Sequence, residues 1–133
     1  MIAAVLALST LVVLAAGCGG GGQRKSTLRP PVAINVSVRI GDDSVVASPS
    51  RFGAGPINVI ASNQSSAEQR LTLDGPQLKR SSDPIPPTET GSLKVTVAPG
   101  SYSLSADGAG GLKPAKLTVG PKRPSAQNEL LLP

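Results

Sequence analysis

Leu93-Lys94-Val95-Thr96-Val97-Ala98-Pro99-Gly100-Ser101-Tyr102-Ser103-Leu104-Ser105-Ala106 alternates apolar and polar side chains on both sides of a Pro-Gly pair. Side chains on a strand point to opposite faces in turn, so this stretch reads as strand, tight turn, strand. The same period extends outward. Val32, Ile34, Val36, Val38 and Ile40 alternate with Ala33, Asn35, Ser37 and Arg39. Gly41-Asp42-Asp43 is a turn, Val45-Val46-Ala47 a short strand ended by Pro49, and Gly53-Ala54-Gly55-Pro56 another turn. Ile57–Ala61, Gln69–Leu73 and Ala115–Val119 complete the strands, with turns at Asn63-Gln64-Ser65-Ser66 and at Asp74-Gly75-Pro76. Residues 77–90, with Pro84, Pro86 and Pro87, are expected as a long polar loop, because proline forbids a central strand. Gly108-Ala109-Gly110-Gly111 is a flexible loop.

About seven short strands at this spacing, without a repeat and without a helical period after residue 18, predict an all-β, antiparallel Greek-key β-sandwich. It is expected to span residues 32–121. Residues 122–133 follow as a tail, with Leu130-Leu131-Leu132 as a candidate edge strand.

Composition limits what such a domain can be. Aromatic residues make up 2% of the 133 residues, so the core must be built from Val, Ile, Leu and Ala. A core of that kind in a small domain implies modest stability. The one cysteine leaves no intramolecular disulfide partner. The net charge of +5 gathers near Arg24, Lys25 and Arg29, at Lys79-Arg80 and at Lys122-Arg123. Near a membrane these charges would attract anionic headgroups. Nucleic acid is not an expected partner, since there are too few aromatic side chains to stack on bases.

Ile2 to Ala16 carry no charge, and Ala15-Ala16-Gly17 lead into Cys18, the single cysteine. Fifteen residues make a helix of roughly 22 Å, short for a bilayer core of about 30 Å. The segment resembles the signal peptide and lipobox of bacterial lipoproteins. That resemblance implies a signal-peptide helix over 1–17, cleavage between Gly17 and Cys18, and lipidation of the Cys18 thiol. Residues 18–31 would form a Gly-rich linker that tethers the domain to the extracytoplasmic side of a bacterial membrane. Two or more acyl chains anchor stably. Ala15 stands where lipoboxes most often have Leu. No Lys or Arg precedes Arg24, so the natural start is expected upstream of Met1.

The stretch 93–106, followed by Ala115-Lys116-Leu117-Thr118-Val119, resembles the last strands of cupredoxins, where a strand ends in Pro-Gly-x-Tyr. Gly53-Ala54-Gly55-Pro56-Ile57-Asn58-Val59-Ile60-Ala61-Ser62-Asn63 resembles that family's glycine turn, strand and asparagine. Immunoglobulin-like and carboxypeptidase-regulatory-like sandwiches are the competing folds. A cupredoxin copper centre takes two His, one Cys and usually an axial Met. The resemblance puts the first His near Gln69, the Cys at Ala106, the second His near Ala109 and the Met near Lys113 or Pro114. None of these supplies a thiolate or an imidazole, so no metal or other cofactor is expected.

Other chemistries lack residues too. With no histidine in the chain, Ser-His-Asp and Cys-His catalysis are ruled out and zinc sites are unsupported. Asp42-Asp43 reads as a turn, and a calcium loop needs more oxygen ligands in order. The glycines at 108–111 open no helix that could hold phosphate. Tyr102 and Phe52 read as core or corner residues, and Lys79-Arg80 as an exposed basic loop. The expectation is a membrane-anchored lipoprotein, not an enzyme, that presents a copper-free sandwich to a protein or envelope partner. Two alternatives are a copper-handling or electron-transfer accessory with unconventional ligands, and a structural subunit of an envelope complex.

Overall fold

Val36, Val38 and Ile40 are fully or almost fully buried along one strand, while Ser37 and Arg39 between them stay in solvent. This is the period-two pattern at work. The computed structural model describes residues 28–108 and 111–125. It contains β1 (Ile34–Ile40), β2 (Val45–Ser48), β3 (Arg51–Asn63), β4 (Arg70–Gly75), β5 (Leu78–Ser81), β6 (Thr90–Val97), β7 (Gly100–Asp107) and β8 (Ala115–Lys122).

The strands form two layers joined through β3. One layer runs β2-β1-β3-β6 and the other β3-β8-β7-β4-β5. Between them lie Val36, Ile40, Ile57 and Val59 from the first layer, and Leu71, Leu73, Leu104 and Leu117 from the second. Each is at most 2% exposed. Burial of a Val, Leu or Ile side chain contributes about 1.5–3 kcal/mol. That apolar layer therefore holds the sheets together with almost no aromatic surface.

Five strand pairs are antiparallel, but β1·β3 and β3·β8 are parallel. Both parallel pairs arise because β3 serves two sheets. Its first arm, Arg51–Ala54, runs alongside β8. From Gly55 it runs with β1 and against β6. The chain reverses across Gly53–Pro56, as the glycines predict, yet the reversal is hydrogen-bonded on both sides and lies inside a strand. Gly55 has φ +140°, a conformation open to glycine and strained for other residues.

Three expectations change. Val32 is 72% exposed and adds nothing to the core, because the core-facing side of the first strand begins at half-buried Ile34. Residues 77–90 are not all loop, since Leu78–Ser81 pair with β4 as an edge strand and Ile85 bridges Gln69. An edge strand with one partner needs one apolar contact, here Leu78, so its sequence shows no alternation. The tail does not begin at residue 122, because Lys122 still pairs with Ala54. The expected signal peptide 1–17, Cys18, most of the expected linker, Ala109 and the triplet Leu130–Leu132 lie outside the described residues.

Candidate functional site

The cupredoxin resemblance would put a metal centre at one end of the sandwich, and the register brings two of its positions, Gln69 and Ala106, to that end. Leu71 pairs with Ala106 and Arg70 with Asp107, which sets Gln69 beside the end of β7. Lys113 bridges Ser44 and donates its amide to Asp43 O at 2.9 Å. Gln69 is 2% exposed and Ala106 7%. A Cβ built on Gly108 would sit 2.3 Å from Gln69 Oε1, so the absence of a side chain there makes room for the amide.

A hydrogen-bonded plug fills this end. Asn63 is fully buried. Its Nδ2 donates to Ala67 O and to Ile85 O, both at 2.8 Å, and its Oδ1 accepts from Ser65 N at 3.0 Å. The Ser65 hydroxyl lies 2.7 Å from Asn63 Oδ1 and 3.0 Å from Ala67 O, and accepts from Gln69 Nε2 at 3.3 Å. Backbone bonds between Gln69 and Ile85, at 2.7 and 3.0 Å, close the ring. Gln69 Oε1 is buried and accepts no hydrogen bond among the described residues. Nearby, Ser105, Ala106, Asp107, Gly108, Gly111 and Leu112 line an open groove.

The donor set does not fit copper. The buried groups here are amides and one hydroxyl, which are hard oxygen and nitrogen donors, while a cupredoxin centre needs a thiolate and imidazoles. Ala106 offers a methyl group. Among the described residues no three His, Cys, Asp or Glu side chains gather where they could hold a metal ion.

The remaining sequence candidates fall into structural places. Asp42 accepts from Ser66 N at 3.1 Å through Oδ1 and pins one loop to the next. Tyr102 is 3% exposed, and its hydroxyl donates to Ala98 O at 3.0 Å and accepts from Ala98 N at 3.1 Å. It is a corner residue. Phe52 packs half-buried against the core. Lys79 and Arg80 belong to β5 and not to a loop, and Lys79 pairs with Asp74 at 3.8 Å in solvent.

In the sequence Arg123 stands out only as half of the basic pair Lys122-Arg123 beside prolines. Its backbone amide donates to Ala54 O at 3.0 Å and its Nε to Gly53 O at 3.0 Å. Its two terminal nitrogens donate to Val32 O and Pro56 O. One guanidinium thus ties the start of the domain, the reversal in β3 and the end of β8. Around it, Leu28, Arg29, Gly55, Lys122 and Ser125 help to line a cleft. A second cleft, lined in part by Asn35, Asn58, Arg80 and Lys94, adjoins it along Pro56 and Thr96.

No protein-family model matches the chain, and no curated protein does. Among solved structures, a multicopper oxidase is similar at 10% identity and a TM-score of 0.51, over 69% of this chain and 46% of that one. This chain thus spans about half the length of the oxidase. Auracyanin A, a "blue" copper protein from Chloroflexus aurantiacus, is similar at 16% identity and a TM-score of 0.47, over 65% of this chain and 99% of that one. The Cu(I) form of an amicyanin mutant is similar at 11% identity and a TM-score of 0.40, over 71% of this chain and 94% of that one. Likeness at such identities concerns the fold. Together with the two-layer strand order, the oxidase match makes this chain an all-β protein with a cupredoxin-like β-sandwich.

Proposed function

We propose that this chain is an extracytoplasmic lipoprotein, anchored through Cys18, whose cupredoxin-like sandwich is a non-catalytic module for contact with a protein or envelope partner. The observation that carries this reading is the plug of Asn63, Ser65 and Gln69, which occupies the end where the resemblance calls for copper ligands. Amides joined through the Ser65 hydroxyl, and to the Ile85 backbone, serve to fix loops, not to bind a soft metal. The uncharged run Ile2–Ala16 before small residues and the only cysteine supports the anchor.

Labelled palmitate fed to cells that express the chain tests it. The wild type is expected to carry label in the membrane fraction, and Cys18→Ala none. Label retained by Cys18→Ala would overturn the anchor.

A further inference from the structure

We infer that the end of the sandwich where the chain leads back toward Cys18 is a cationic face that lies on an anionic lipid surface. This rests on the lipid-anchor reading above. Among the described residues, the two clefts that meet at Pro56 and Thr96 are lined by Arg29, Arg80, Lys94, Lys122 and Arg123, and by no carboxylate. The one ion pair among the described residues is Lys79–Asp74. It lies on the outer side of the other sheet, where Asp74 pairs with Ser103 of β7.

The opposite end has the reverse balance. Asp42, Asp43, Glu68, Asp83, Glu89 and Asp107 sit in or beside the loops around the Asn63 plug, against Arg39, Arg70 and Lys113. The domain therefore has a charge axis, and its positive end is the tethered one. Leu28, 76% exposed, and Val32, 72% exposed, stand at that same end, next to the Arg123 contact with Val32 O. Exposed apolar side chains beside cations suit the headgroup boundary of a bilayer.

Tether length makes the face necessary for orientation. Leu28 lies ten positions after Cys18, a reach of up to about 35 Å. A lipid on Cys18 alone would leave the domain free to stand off or lie down. Surface charges act within about 8 Å at physiological salt. Only a domain lying on its cationic end brings Arg80 and Lys94 within that range. Each Lys or Arg near an anionic surface favours contact by about fivefold, and two by about thirtyfold.

The test uses the full acylated chain in vesicles of phosphatidylcholine alone, or with phosphatidylglycerol added. A dye is placed at Thr96→Cys on the face or at Ser66→Cys at the far end, and spin-labelled headgroups quench it. Quenching at position 96 is expected to exceed that at 66 only with phosphatidylglycerol, and 0.5 M salt is expected to remove the excess. Arg80→Gln/Lys94→Gln should shift the lying population by about thirtyfold. Equal quenching in both lipids, or no change in the double variant, overturns the face. Retention on neutral vesicles reads the anchor separately. If the anchor fails, salt-sensitive co-sedimentation of the full chain with phosphatidylglycerol vesicles, compared between wild type and double variant, still decides the face.

Discussion

The hydroxyl of Tyr102 serves a single residue, Ala98, in both directions, and so closes the corner between β6 and β7. Its ring lies on Gly75, where a built Cβ would come within 2.2 Å. Tyr102→Phe keeps the ring and is expected to cost about 1 kcal/mol, because water can reach exposed Ala98 in its place. Tyr102→Ala removes the ring and is expected to cost about 3–5 kcal/mol. Urea unfolding followed by far-ultraviolet circular dichroism reads both. The plug offers a second contrast. Asn63→Ala leaves buried Ser65 N without its acceptor and removes two further bonds, though Ala67 O keeps the Ser65 hydroxyl and Ile85 O keeps Gln69 N, for an expected loss of about 3 kcal/mol. Gln69→Met keeps the volume and removes one 3.3 Å bond and an acceptor without a partner. It is expected to change stability by less than about 1 kcal/mol. A Gln69→Met variant as unstable as Asn63→Ala would mean that the glutamine amide is held by more than these contacts.

At the scale of elements, β1, β6, β7 and β8 were legible because each buries one face and wets the other. Leu93, Val95 and Val97, then Tyr102, Leu104 and Ala106, turn inward as the alternation predicts. β5 was not legible, since Leu78-Lys79-Arg80-Ser81 buries little and is a strand only through pairing with Thr72–Gly75. The Arg123 strap was hidden for the same reason, as its partners lie 67 to 91 residues away. This strap can be tested through the planar guanidinium fork, which suits several carbonyls at once in a way an ammonium cannot. Arg123→Ala is expected to cost about 2 kcal/mol. Arg123→Lys should recover little of it. Hydrogen exchange at the residue 123 amide, bonded to Ala54 O, should accelerate in both variants. Full recovery by lysine would show that charge, not the fork, holds the strap.

For the whole molecule, strand pattern and the Pro-Gly-x-Tyr resemblance led to the right sandwich. Gln69 and Ala106 lie at one end of it, where the resemblance would put copper ligands. What closes that end stayed invisible, because Asn63 reaches Ile85 across 22 residues of chain. The sum of these facts makes a definite statement about copper. The chain has no histidine, and its one cysteine lies at position 18, before the first described strand. An intense visible band in a cupredoxin-type centre requires thiolate bound to Cu(II) within the sandwich, and the buried donors here are amides and a hydroxyl. Titration of the full chain with Cu(II), and with Cu(I) under reducing conditions, is therefore expected to produce no such band and no tight one-to-one binding. Cys18→Ala separates the cases, since weak binding through a free thiol should vanish with it. Tight stoichiometric binding that survives Cys18→Ala would put the metal in the folded domain, and the copper-handling alternative would then replace the reading of a copper-free module.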